Sequence, residues 1–127
     1  MPIRIAYLEE FKGSDTLLVD GDLIGLKQLA TALDGLSLPG AKPIHIETLP
    51  FVSRSCLLRA DIAEEGLGVS RAGETFTWLH TSSEWATFSQ QINELTGASY
   101  GHHYLDSSHS DIQVLVTHGE GYDHVFA

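Results

Sequence analysis

Thr81-Ser82-Ser83-Glu84-Trp85-Ala86-Thr87-Phe88-Ser89-Gln90-Gln91-Ile92-Asn93-Glu94-Leu95-Thr96-Gly97 reads as one helix with both ends marked. Thr81 and Glu84 fit a capping box, in which the hydroxyl accepts from an unpaired amide and the carboxylate reaches back to the cap. Trp85, Phe88, Ile92 and Leu95 then step by three, four and three, which puts them on one face, and Gly97 ends the run. Working outward, Thr75 to Leu79 alternates Phe76 and Trp78 with polar residues and predicts a strand into the helix. On the other side, Tyr100 to Leu105 predicts a strand, Asp106 to Ser110 a turn, and Ile112, Val114 and Val116 a final strand.

The N-terminal half repeats these elements less clearly. Ile3, Ile5 and Tyr7 alternate as an opening strand, Glu9 to Ser14 reads as a turn, and Thr16 to Val19 as a second strand. Asp20-Gly21-Asp22 offers a cap for a helix whose apolar face is Leu23, Leu26, Ala30 and Leu33, with Gly35 as the stop. Pro43 to Glu47 follows as a short strand. Cys56 to Ile62, Leu67 to Ser70 and Thr75 to Leu79 read as a small antiparallel meander. Leu23, Leu26, Ala30, Leu33 and Gly35 each lie 62 residues before Trp85, Phe88, Ile92, Leu95 and Gly97, which raises an internal duplication into two β-α-β halves. Two unrelated amphipathic helices of equal length would share the same spacing. The expected architecture is an α+β single domain over residues 1–127, with a mixed, mainly antiparallel sheet of about seven or eight short strands and two amphipathic helices.

Composition sets the limits on function. The chain has 127 residues, 43% hydrophobic, enough for one core. Its longest apolar run, Ile5 to Leu8, is far below the ~20 residues of a membrane span. Met1-Pro2-Ile3-Arg4 lacks the arrangement of a secretory signal, and Cys56 is the single cysteine, so the expected compartment is the cytoplasm. The net charge is −10, and all seven Lys and Arg lie before residue 72. After it come only Glu74, Glu84, Glu94, Asp106, Asp111, Glu120 and Asp123. Such a field repels phosphate backbones and anionic lipid and attracts basic proteins. The expected partner is therefore a basic protein, with neither nucleic acid nor membrane.

Catalytic signals are weak. Six of the seven histidines fall in the acidic half, so His102, His103, Asp106 and His118 are the candidate ligands of a metal-dependent enzyme. Against this, adjacent residues of a strand face opposite ways, which separates His102 from His103. Gly68-Val69-Ser70-Arg71-Ala72 lacks the second glycine of a nucleophile elbow, and Arg71 stands where a dinucleotide fingerprint needs its third glycine. Cys56 reads as a small buried hydrophobe. No cofactor is expected. Aromatic anchors within an anionic rim suit protein binding, and Tyr100, Tyr104 and Tyr122, with Asp106, Asp111, Glu120 and Asp123, are the binding candidates. The apolar Val125-Phe126 tail predicts docking onto the domain or a partner, and a homodimer through it or through edge strands is the self-associating alternative.

Trp78-Leu79, Ser83-Glu84-Trp85 with Phe88, Gly101-His102-His103-Tyr104-Leu105-Asp106 and Val114 to Glu120 together resemble small predicted immunity proteins of bacterial polymorphic toxin systems. The resemblance covers about a third of the chain. Those sequences often close Gly-Glu-Tyr, whereas Gly121 here separates Glu120 from Tyr122. The resemblance implies an α+β protein without catalytic residues that blocks a cognate toxin by surface complementarity. An acidic inhibitor suits the basic cleft of a nuclease toxin.

Overall fold

A computed structural model describes residues 3–105 and 110–126. In chain order the strands and helices are β1 (Ile3–Phe11), β2 (Ser14–Asp20), α1 (Leu23–Asp34), β3 (Ile44–His45), β4 (Val52–Arg54), β5 (Leu57–Ile62), β6 (Gly68–Ala72), β7 (Thr75–His80), α2 (Ser82–Leu95), β8 (Gly101–Tyr104) and β9 (Ile112–His118). They form an α+β fold around one curled, mixed sheet in the order β3-β5-β7-β6-β9-β2-β1-β4, with β8 also paired to β9. Three pairs are parallel, β1 with β4, β2 with β9 and β5 with β7. The remaining pairs are antiparallel. Both helices pack against each other and against one face of this sheet, where Leu26, Leu33, Trp78, Trp85 and Ile92 are among the buried side chains.

The capping box of α2 is complete, with Thr81 Oγ1 accepting from the Glu84 amide at 3.2 Å and Glu84 Oε1 accepting from the Thr81 amide at 3.0 Å. Asp22 caps α1 by accepting from the Gly25 amide at 2.7 Å. Several expectations are corrected. The first strand does not stop at Leu8. A bulge with Glu10 at φ 50° carries it to Phe11, and only Lys12-Gly13 turn, both with positive φ as a tight hairpin demands. Gly35 is the C-cap of α1, as expected, but in the right-handed region. Its φ is −57°, and a 3-10 turn over Gly35–Ser37 carries Leu36 into the core. The strand expected over Pro43 to Glu47 shrinks to β3, because Ile46–Thr48 forms a 3-10 turn. Nor is the middle an antiparallel meander. β5 lies parallel to β7, and β6 sits on the far side of β7 because the tight β6–β7 hairpin already fills that edge.

The repeat is real in geometry, but its period is 59 residues. The caps Asp22 and Thr81 correspond, and so do the buried positions Leu26, Leu29, Ala30, Leu33 and Leu36 with Trp85, Phe88, Ser89, Ile92 and Leu95. The 62-residue match puts Leu23 opposite Trp85 in the core, where Leu26 belongs; Leu23 is 39% exposed. Each unit is a hairpin, a helix and two returning strands, β3 and β5 or β8 and β9, and the first unit adds the short β4 between its two. The Ile44 to Ala60 pairing of β3 with β5 corresponds to the His103 to Val116 pairing of β8 with β9. The strand after each helix does not pair with the strand before it, as a simple β-α-β unit would. Instead the last strands are exchanged: β5 lies beside β7 of the second unit and β9 beside β2 of the first.

Candidate functional site

Across β1, β2, β9 and β8 the outer face of the sheet carries one polar row and one apolar row. Register places Arg4, Asp20, Thr117 and His102 side by side across β1, β2, β9 and β8. One step further along come Ala6, Leu18, Leu115 and Tyr104. The C-terminal tail folds over both as a short 3-10 turn, Asp123–Phe126, and buries Phe126 with Leu18 and Leu115. The expected docking of Val125 and Phe126 is thus met by the chain's own sheet.

Where the tail turns off β9 it encloses a notch of about 360 Å³, whose lining includes Arg4, Asp20, Asp22, Glu120, Tyr122 and Asp123. Gly119 makes this path possible. Its φ is +68°, and a Cβ there would stand 2.5 Å from the Ser99 carbonyl oxygen. Arg4 Nη2 donates to Asp20 Oδ2 at 2.5 Å and to Asp123 Oδ1 at 2.6 Å, and the guanidinium sits 4.6 Å from the Phe126 ring centre. Thr117 Oγ1 donates to Asp20 Oδ1 at 2.9 Å, and His102 Nδ1 meets Glu120 Oε1 at 2.7 Å. The two carboxylates push the Arg4 pKa above its ordinary value, Asp123 first and Asp20 next, so its charge is committed inside the protein. Among the described residues four carboxylates and one arginine line the notch, so its lining is predominantly acidic.

The sequence candidates divide. Glu120, Tyr122 and Asp123 line the notch. Tyr104 lies beneath the tail with Tyr122, and Tyr100 stands beside Gly119, 66% exposed. Asp111 is at the opposite end of β9, and Asp106 lies outside the described residues. The acids after residue 72 therefore do not make one continuous face. Glu74 is in the β6–β7 turn, Glu84 is tied into the capping box and Glu94 ends α2. The negative site instead draws Asp20 and Asp22 from the first half. In the sequence these two read only as helix caps, although two aspartates flanking a glycine at a strand end were the available signal.

The metal-ligand candidates are not brought together. On β8, His102 and His103 take opposite faces, and His118 Nδ1 donates to the Gly21 carbonyl at 3.2 Å. Among the described residues no three His, Cys, Asp or Glu side chains converge as ligands. Cys56 is half-buried beside Tyr7 and Arg71, and burial pushes its thiol up, away from the nucleophilic form.

His80, fully buried, lies in a box of Trp78, Trp85 and Phe88. Its Nδ1 is 3.3 Å from Glu84 Oε1, near enough for an ion pair but without hydrogen-bond geometry to any described residue. Burial pushes its pKa below the usual 6.5, with Glu84 opposing in part. Among the described residues, no helix is long and apolar enough to cross a membrane. Comparison of the chain with protein-family models, curated proteins and solved structures finds no match.

Proposed function

We propose that this chain is a non-catalytic, cytoplasmic binding domain of the immunity type, which holds a basic protein partner, a toxin, through the notch at the tail end of β9. The observation that carries this reading is the acidic lining there: among the described residues Asp20, Asp22, Glu120 and Asp123 line the notch with Arg4, whose donors serve Asp20 and Asp123. A lysine or arginine of a partner entering the notch finds carboxylates held in place by Thr117, His102 and the Gly25 amide. The chain's charge of −10 steers such a partner from a distance. Tyr100, exposed at the rim, supplies apolar contact beside it.

Co-expression of the untagged chain with the product of the adjoining gene tests the reading. The expected result is a 1:1 complex that relieves growth inhibition. Its association should slow about tenfold or more between low and physiological salt, and again in the double variant E120K/D123K. Failure to form any complex, together with one equivalent of tightly bound zinc in the purified chain, would overturn it.

A further inference from the structure

The two units join at two seams, and only one seam is closed. At the closed one, β6 reaches β9 through the pairing of Val69 with Ile112. In the register that relates the units, Val69 corresponds to Ile5 and Ile112 to Cys56. Among the described residues that second pairing is absent, because β4 lies against β1 through Ile3 with Val52 and leaves Cys56 in the link between β4 and β5. The open seam holds a cavity of about 350 Å³, whose wall includes Tyr7, Cys56, Leu57 and Phe76. Phe76 is buried, and Tyr7 and Cys56 pack against the same core. Arg71 and Glu74, both exposed, complete the lining.

These two charges are held apart. Arg71 Nε donates to the Gly73 carbonyl at 2.7 Å, and its guanidinium carbon lies 4.9 Å from the Tyr7 ring centre and 5.6 Å from that of Phe76. Glu74 stands in the turn between β6 and β7. Among the described residues neither forms an ion pair, even with the other. The neighbouring acids are already engaged: Asp15 accepts from the Tyr7 hydroxyl and the Glu10 amide, each at 3.0 Å, and Glu47 accepts from the Leu58 amide at 2.9 Å. One cation and one anion therefore face a shared, partly apolar space.

We propose that this cavity binds a free α-amino acid with an apolar side chain, its carboxylate on Arg71, its ammonium on Glu74 and its side chain against Cys56, Leu57 and Phe76. A zwitterion answers both charges at once. It carries no net charge, so the field of a chain at −10 does not repel it as it would a simple carboxylate. A simple ammonium would cover Arg71 without pairing it, which costs desolvation with no return. At ~30 Å³ per non-hydrogen atom the volume holds about a dozen, the size of phenylalanine. The site shares no lining residue with the acidic notch and stands independently of it.

Cys56 is the chain's single cysteine, so its alkylation by iodoacetamide reports occupancy of the cavity without labelling. The full chain is titrated with L-phenylalanine, phenylalaninamide, N-acetylphenylalanine and glycine. The expected result is that phenylalanine slows alkylation severalfold at millimolar concentration, that the amide and the acetylated form each bind about tenfold more weakly, and that glycine gives no protection. Arg71→Gln should abolish the preference for phenylalanine over its amide. Glu74→Gln should abolish the preference over the acetylated form. Both side chains are exposed, and an unchanged thermal midpoint in each variant separates loss of recognition from loss of fold. Absence of protection by phenylalanine overturns the proposal. So does protection by the amide or by the acetylated form equal to that by phenylalanine, since the site would then read one charge alone. Variants that weaken all four compounds alike overturn it too, because the two side chains would then shape the cavity without reading the ligand.

Discussion

Ala6, Leu18, Leu115 and Tyr104 across β1, β2, β9 and β8 occupy the same register as Ser70, Thr77, Arg59 and His45 across β6, β7, β5 and β3 of the same sheet. One row is apolar and roofed by the tail, whereas the other is polar and open to water. Since the backbone ladder is equivalent, the difference lies in the segment that leaves the last strand of each unit. After β9 comes Tyr122 to Phe126, which brings Tyr122, Val125 and Phe126 to the sheet. After β5 comes Ala63-Glu64-Glu65-Gly66-Leu67, which returns the chain to β6. A covering segment turns a solvent face into a second small core, and its departure from the sheet creates the notch. The asymmetry between the two halves of the sheet thus arises from Tyr122 to Phe126.

The comparison can be broken most severely in the helices that both units share. Trp85→Ala removes a fully buried ring and the bond from its Nε1 to the Asp61 carbonyl, and should cost about 4 kcal/mol in urea unfolding. Leu26→Ala, its counterpart, should cost about 3 kcal/mol. A pair of values below 1 kcal/mol would show that the helices do not share one core. Arg4→Met should come next, at about 3 kcal/mol, because it strands the Asp20 carboxylate, whose side chain is only 11% exposed. Asp20→Asn on that background should recover part of the loss, and no recovery would mean that Arg4 acts through packing on Phe126 alone.

Phe126→Ala sharpens the contrast between the roofed and open rows. It should cost about 2 kcal/mol and increase binding of a hydrophobic dye, whereas Thr77→Ala in the open row should change neither. A smaller effect is pH-dependent and belongs to the second unit. His80 is held neutral by burial, so its contribution is complete above its unfolded pKa of about 6.5 and declines as pH falls toward its lower folded value. The denaturation midpoint should therefore drop between pH 7 and 5, and His80→Leu should flatten that part of the curve; parallel curves would remove His80 from the account. Smallest of all, Asp123→Asn should alter stability by no more than about 0.5 kcal/mol, since that side chain is 90% exposed, while weakening a basic ligand.

Both helices and most strands were legible because their signals are local. The Thr81 to Glu84 box, the Ile112 to Val116 alternation and the Asp22 cap need no distant partner. β4 was not legible, since three residues carry no period, and its place beside β1 depends on Ile3 meeting Phe51 across the chain. The period of the repeat is misleading in sequence because Leu23 and Leu36 are equally apolar there, and only packing exposes one and buries the other. In the site, the tail acids were visible as charges, but the union of Asp20 with Thr117 spans 97 residues and depends on strand order alone.

The exchange of final strands also governs how the protein comes into being. Because β9 separates β6 from β2 in the middle of the sheet, the hairpin of β1 and β2 has no neighbour on that side until β9 has been made. A chain that ends before β9 leaves the facing edges of β2 and β6 without their shared neighbour, and unpaired edges of this kind invite association between chains.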